Sequence, residues 1–144
     1  RNMLEAVVQA DPENEKVYRS NYEKLNDMII ATDSLIREKL TRASSRSFVI
    51  YHPALAYFAN DYNLHQHSVE FEGKNPSPAQ IKELVDLARV ENIHTVFIQK
   101  GFDKKNTEVI AREIGAEVFE IDPLSYEWER ELVRIADILS READ

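Results

Sequence analysis

The spacing of apolar residues near the start of the chain predicts a long amphipathic helix. From Tyr18 to Ile36 these residues recur at alternating intervals of four and three, which places them on one helical face. Asp11 and Pro12 supply an N-cap acid and a first-turn proline, so we expect the helix to begin there and run to about Leu40. A helix of about 30 residues would be roughly 45 Å long, so it should brace something larger. The alternative is a coiled-coil or dimer helix.

Beyond residue 46 the pattern changes to short apolar runs that alternate with helical periodicities. The predicted strands are 47–51, 66–71, 95–98 and 117–121. Strands separated by helices favour right-handed βαβ units and a parallel sheet. The sequence therefore predicts an α/β fold, with about four mostly parallel strands flanked by helices and preceded by the long N-terminal helix.

The predicted helices of this second region carry boundary signals. The run Ser77-Pro78-Ala79-Gln80 is a capping box with proline in the first turn. Pro53 opens a short helix that should run to Asp61, and Gly115 ends a later one. The closing helix is marked by five apolar residues, Leu124, Trp128, Leu132, Ile135 and Leu139.

Composition narrows the classes of function. The 144 residues are 43% hydrophobic, enough for one compact core. Eighteen basic and 26 acidic residues give a net charge of −8, which repels nucleic acid, so we expect no nucleic-acid partner. The absence of cysteine excludes disulfides and thiolate metal ligands. The three glycines form no phosphate-binding loop, and an enzyme would have to be built from dispersed residues.

His52 is the leading candidate for chemistry, because it follows the first predicted strand and precedes a proline. Ligand groups of open α/β sheets lie at the carboxyl ends of the strands. The same arrangement recurs at Asp122-Pro123, after the last predicted strand. The two side chains could form half of a metal site. Alternatively, His52 caps a helix or is satisfied in the core, and Asp122 is an ordinary helix N-cap.

Other ionisable residues give weaker signals. His65-Gln66-His67 directs both rings to one face of a strand and could bind a divalent cation. An exposed edge strand that happens to carry two histidines is the alternative. Glu70 and Glu72 lie in a predicted loop, where we expect them to be hydrated, and His94 should be solvated in another loop.

Five segments taken together resemble the zinc and manganese substrate-binding proteins of bacterial ABC importers, the ZnuA-like or cluster A-I family. They are YHPALAYFANDY at 51–62, EGKNPSP at 72–78, VFIQ at 96–99, IGAEV at 114–118 and IDPL at 121–124. In that family two α/β lobes joined by a long helix hold the metal in the cleft between them. The resemblance implies that residues 1–45 are the interlobe helix and 46–144 the C-terminal lobe, with the N-terminal lobe absent.

The resemblance implies metal capture and not catalysis. His52 occupies the histidine of the family's His-x-x-x-x-Tyr-Phe pattern and is expected to be a ligand. Asp122 matches an aspartate that some members use as a further ligand, and His65 and His67 receive no role. Imidazole and carboxylate suit Zn²⁺ first and Mn²⁺ next. A complete site would need the other lobe, so residues 1–144 should bind metal weakly.

The resemblance also implies a location and partners. The protein would be periplasmic, or extracytoplasmic and membrane-anchored, and would deliver its metal to an ABC permease. The exposed apolar side of the long helix should favour self-association.

Two other classes of protein stay open, a helix-mediated interaction module and a small Mg²⁺-dependent α/β signalling domain. The latter should carry an acidic pair after the first strand, where Tyr51 and His52 stand.

Overall fold

The structure is a computed structural model that describes residues 1–70, 74–102 and 105–141. The helices are α1 (Asn2–Ala10), α2 (Glu15–Leu40), α3 (Ala56–Asp61), α4 (Pro78–Val90), α5 (Lys105–Ile114) and α6 (Trp128–Leu139). The strands are β1 (Ser47–Ile50), β2 (His65–Ser68), β3 (Thr95–Gln99) and β4 (Glu117–Ile121). The chain divides into two compact units, residues 1–35 and 36–144.

The first unit consists of α1 and most of α2, joined by a 3₁₀ turn over Pro12–Asn14. The Asp11 carboxylate accepts hydrogen bonds from the Asn14 amide and the Tyr18 hydroxyl, both at 2.8 Å. These bonds lower the pKa of Asp11. The long helix was predicted, but α1 was not, and α2 begins at Glu15 because the residues after Asp11 form a 3₁₀ first turn.

The second unit contains a four-stranded sheet in the order β2-β1-β3-β4, in which every neighbouring pair is parallel. Most residues of the two central strands are apolar and buried, as in Phe48 and Phe97. The strands β2 and β4 form the edges. This topology confirms the predicted α/β fold and parallel sheet.

Side chains of β1 alternate between two apolar layers, because successive residues of a strand face opposite sides of the sheet. Phe48 and Ile50 belong to the layer that includes Ile135 of α6. Val49 belongs to the opposite layer, with Val85 of α4. With both faces covered, only the sheet's edges and strand ends remain for polar chemistry.

The boundary signals of two helices are confirmed. The hydroxyl of Ser77 accepts a hydrogen bond from the backbone N–H of Gln80, and the Gln80 side chain accepts one from the Ser77 backbone, which completes the capping box. Gly115 follows α5 with a φ of +69°, a conformation that glycine adopts at little cost.

Two other helices begin later than predicted. The segment after β1 first makes a tight turn in which Ala54 N–H donates to His52 O at 2.7 Å, so α3 starts at Ala56. Leu124 lies in a turn before α6 and is 93% exposed, so its assignment to the closing helix was wrong. Its N–H donates to the Asp122 carboxylate, which stabilises the turn instead of a helix.

No helix in the described part of the chain is long and apolar enough to cross a lipid bilayer.

Candidate metal centre

His52 and Asp122 lie at the same edge of the sheet, beyond the carboxyl ends of β1 and β4. We call this end of the sheet, where the parallel strands stop, the carboxyl edge; it is distinct from the edge strands β2 and β4. The strand β3 separates β1 from β4, so with about 4.8 Å between neighbouring strands the two backbones are roughly 10 Å apart. The structure thus places both predicted ligands at the same end of the sheet.

The backbone of His52 is fixed by the side chain of Gln99, the last residue of β3. The Gln99 amide oxygen accepts a hydrogen bond from His52 N–H at 3.3 Å, and its amide nitrogen donates to His52 O. Gln99 is buried. A side-chain amide therefore continues the pairing of β1 with β3 one step beyond the regular ladder.

The imidazole of His52 is fixed by two further side chains. Its Nδ1 lies 2.8 Å from Oε2 of Glu70, and its ring stacks on Phe102 with centroids 5.8 Å apart and planes inclined by 18°. The His52 side chain is 48% exposed, whereas that of Glu70 is only 13% exposed. A carboxylate acts only as acceptor, so this contact assigns the ring proton to Nδ1. Within the described residues, Nε2 makes no hydrogen bond and is the nitrogen available to a metal.

The carboxylate of Asp122 is engaged at both oxygens. One accepts the Leu124 N–H at 3.2 Å, and the other lies 3.7 Å from the Lys100 ammonium. The backbone N–H of Asp122 donates to Glu131, whose pKa is lowered by hydrogen bonds from Arg134. Asp122 is therefore firmly placed, but a metal would have to compete with Lys100 for its carboxylate.

The histidines of β2 do not join His52. His67 Nε2 lies 2.8 Å from Glu91 Oε2, and Glu91 follows α4. The pKa of Glu91 is lowered mainly by a hydrogen bond from the Ser47 hydroxyl, and further by the hydrogen bond from His67. Ser47 is the first residue of β1, so this pair lies toward the opposite side of the sheet, which we call the amino edge. His65 is exposed on the edge strand.

The described residues contain no group of three or more histidine, aspartate and glutamate side chains arranged to hold a metal. His52 and Asp122 would supply two ligands at most, whereas zinc sites in proteins use three or four protein ligands. The carboxyl edge can therefore contribute part of a coordination sphere. Glu72, also considered in the sequence, lies outside the described residues.

Two residues of this surface were not identified from the sequence. Glu70 was expected to be hydrated, and that expectation was wrong, because it is largely buried against His52. Gln99 was noticed only as part of a motif. Both directly contact His52 from neighbouring strands, so the signal that could have found them is the strand order β2-β1-β3, which places their strand ends beside that of β1.

Comparison with known proteins gives the class first: the chain matches a family of metal-uptake binding proteins, which is not a family of enzymes. The chain belongs to the family described as "Zinc-uptake complex component A periplasmic" (ZnuA), whose model matches residues 1–134. Membership confirms the resemblance seen in the sequence. It also removes the Mg²⁺-dependent signalling domain as an alternative.

Similarity to individual relatives and solved structures supports this family assignment. A structure titled "Crystal structure of ZnuA" superposes with a TM-score of 0.91 at 34% identity, covering 96% of this chain and 54% of that one. The high-affinity zinc uptake system protein ZnuA of Bacillus subtilis is 27% identical, over 100% of this chain and 47% of its own length. The iron-binding protein YfeA of Yersinia pestis is 29% identical, over 88% and 43%. The chain thus spans about half the length of the curated relatives it matches.

Proposed function

We propose that this protein captures a divalent transition metal outside the cytoplasmic membrane and passes it to an ABC import permease. The observation that carries the proposal is His52 at the carboxyl edge. Gln99 holds its backbone, and Glu70 and Phe102 hold its half-exposed ring, with Nε2 unengaged among the described residues. A fixed neutral imidazole is a common ligand of transition metals. Nothing in this arrangement requires the protein to transform its ligand.

Zinc is the metal we propose, with manganese as the second candidate. Nitrogen and carboxylate ligands suit both ions, and the absence of cysteine disfavours Cu(I), which prefers sulfur. The Bacillus subtilis relative is named for zinc uptake, which supports zinc. The Yersinia pestis relative is named for iron, so the metal has to be measured for this protein.

Asp122 is proposed as the second ligand from this chain. Its carboxylate is 41% exposed, and its partner Lys100 is itself well exposed, so the ion pair can open without uncovering the core. On metal binding, Lys100 would move into solvent. The remaining ligands would come from outside the described residues, and the 144-residue chain alone should bind metal weakly.

We further propose that the chain has the domain organisation expected for part of a two-lobed binding protein. Residues 1–45 would serve as the interlobe helix and 46–144 as the C-terminal lobe, facing a second lobe across the metal. The family description supports a periplasmic location, and attachment to the membrane surface would serve the same delivery step. The coverage of about half of each relative supports this organisation.

Self-association of the 144-residue chain is also proposed, through the first unit. Apolar side chains of α2 that are about half exposed include Val17, Leu25, Ile29 and Ile30. Burying them would be favourable by roughly 25 cal/mol for each Å² removed from water. Light scattering over a range of concentrations tests this, and a monomer at all of them would contradict it.

The metal content of the purified full-length gene product tests the proposed function. Elemental analysis in trace-metal buffer should find close to one zinc per chain in the wild type and a loss of it in His52→Ala. His65→Ala is the matched control, because it removes an exposed histidine of the edge strand and should keep the metal. Absence of metal from the wild type, or retention in His52→Ala, would contradict the proposal.

A further inference from the structure

We propose that Glu70 is a positioning residue of the metal site, which selects the tautomer of His52 and so presents Nε2 to the metal. The proposal rests on the proposed function of His52 as a ligand. Glu70 does not contact the metal in this account. Its role is to act through the imidazole, which it contacts at Nδ1.

The backbone holds Glu70 in the place this role requires. Val69 N–H donates to Ile50 O at 2.8 Å, and Glu70 N–H donates to Tyr51 O at 2.9 Å. These bonds continue the pairing of β2 with β1 beyond the regular strands, so Glu70 and His52 are fixed on adjoining strand ends. The Glu70 side chain is largely buried, which limits its freedom to turn toward solvent.

The chemistry of imidazole explains why such a partner is needed. A ligating histidine must be neutral, with a lone pair on the nitrogen that faces the metal. A free imidazole side chain in water prefers to carry its proton on Nε2, which is the wrong nitrogen here. The Glu70 carboxylate accepts a hydrogen bond at Nδ1 and reverses that preference.

Two other contacts restrict the position of His52 while Glu70 holds its ring. Stacking on Phe102 fixes the plane of the imidazole, and the Gln99 amide fixes its backbone. Neither contact involves a ring nitrogen. Of the described residues, Glu70 is therefore the one that decides which ring nitrogen carries the proton.

The experiment compares zinc affinity across variants of the full-length gene product, by competition with a chromophoric chelator. Loss of an outer partner of a metal-binding histidine costs about 10- to 100-fold in affinity, which is the loss expected for Glu70→Ala. Glu70→Gln keeps the size and an acceptor oxygen but not the charge, so its loss should be smaller. Glu91→Gln is the matched control, because it alters a histidine–glutamate pair of the same 2.8 Å length, and it should leave the affinity unchanged.

A spectroscopic readout separates positioning from a general loss of structure. The ¹⁵N chemical shifts of the His52 ring in metal-free protein should report the Nδ1–H form in the wild type and a shift toward Nε2–H in Glu70→Ala. Glu91→Gln should leave the His52 signals in place. Unchanged His52 shifts or unchanged zinc affinity in Glu70→Ala would overturn the inference while the proposed function stands. Undiminished zinc binding by His52→Ala would instead overturn the proposed function itself.

Discussion

The two edges of the sheet each carry a histidine bound to a glutamate, and the two pairs differ in what they leave available. At the carboxyl edge, Glu70 occupies Nδ1 of His52, and the histidine side chain is 48% exposed. Toward the amino edge, Glu91 occupies Nε2 of His67, whose side chain is 22% exposed. The nitrogen–oxygen distance is 2.8 Å in both. The proposal for His52 therefore rests on the ring nitrogen left open and its access to solvent, and not on the distance alone.

The largest expected effect is on metal affinity when the two histidines are exchanged in turn for alanine. His52→Ala removes a proposed ligand, so zinc affinity should fall by more than the roughly 100-fold upper range for loss of an outer partner. His67→Ala removes only a pair between β2 and the residue after α4 and should bind zinc as the wild type does. Isothermal titration on the full-length gene product measures both. Equal losses in the two variants would contradict a specific role of His52 in metal binding.

The next largest effect concerns the support of the carboxyl edge by Gln99. Gln99→Ala removes two hydrogen bonds to the His52 backbone, and the groups left unpaired should lower the free energy of unfolding by about 1–3 kcal/mol. Gln66→Ala, which removes one bond to Leu55 N–H, is the control and should cost less. Urea denaturation of both variants checks the order. If Gln99→Ala were as stable as the wild type, the Gln99 contact would not hold the edge together.

The dependence of stability on pH tests how much the Glu91 carboxylate at the amino edge contributes to the free energy of unfolding. The pKa of Glu91 is lowered from its ordinary value of 4.5 by the Ser47 hydroxyl and by His67. A lowered pKa means that the carboxylate contributes stability above the unfolded-state value and loses this contribution as the pH falls through the folded-state value. Glu91→Gln should therefore be less stable than wild type at neutral pH, with the difference fading below about pH 4. Urea titrations at several pH values test this, and a difference that grew toward acid would contradict it.

The smallest effect is expected at Lys100. Its ion pair with Asp122 is long and exposed, so Lys100→Met should change the unfolding free energy by less than about 1 kcal/mol. If Asp122 coordinates the metal, the variant should bind zinc modestly more tightly, because no ammonium competes. Lys82→Met, which breaks an exposed pair with Asp86, is the control. Weaker zinc binding by Lys100→Met would argue that Lys100 assists the site.

The sequence predicted the fold well because its signals are local. The strand over 117–121, the capping box of α4 and the end of α5 at Gly115 depend on residues close together in the chain, and each was found as expected. The start of α6 was misjudged because Leu124 has helical spacing, while the Asp122 carboxylate binds its N–H in a turn. No pattern pointed to α1.

The candidate site was only partly predictable, for a different reason. His52 and Asp122 were predicted as ligands because a strand-end position is visible in one stretch of sequence. Glu70 and Gln99 belong to the candidate site only through their contacts with His52, which lies 18 and 47 residues away in the chain. Such contacts depend on which strands are neighbours, and apolar periodicity does not encode strand order.

Whether Nε2 of His52 binds the metal is tested most directly by a zinc-edge anomalous diffraction map of the metal-loaded full-length gene product. A single strong peak is expected about 2.0–2.1 Å from Nε2 of His52, the usual zinc–nitrogen distance, with Nδ1 still hydrogen-bonded to Glu70. A peak bound to Nδ1 of His52, or a fully occupied site that does not include His52, would contradict it.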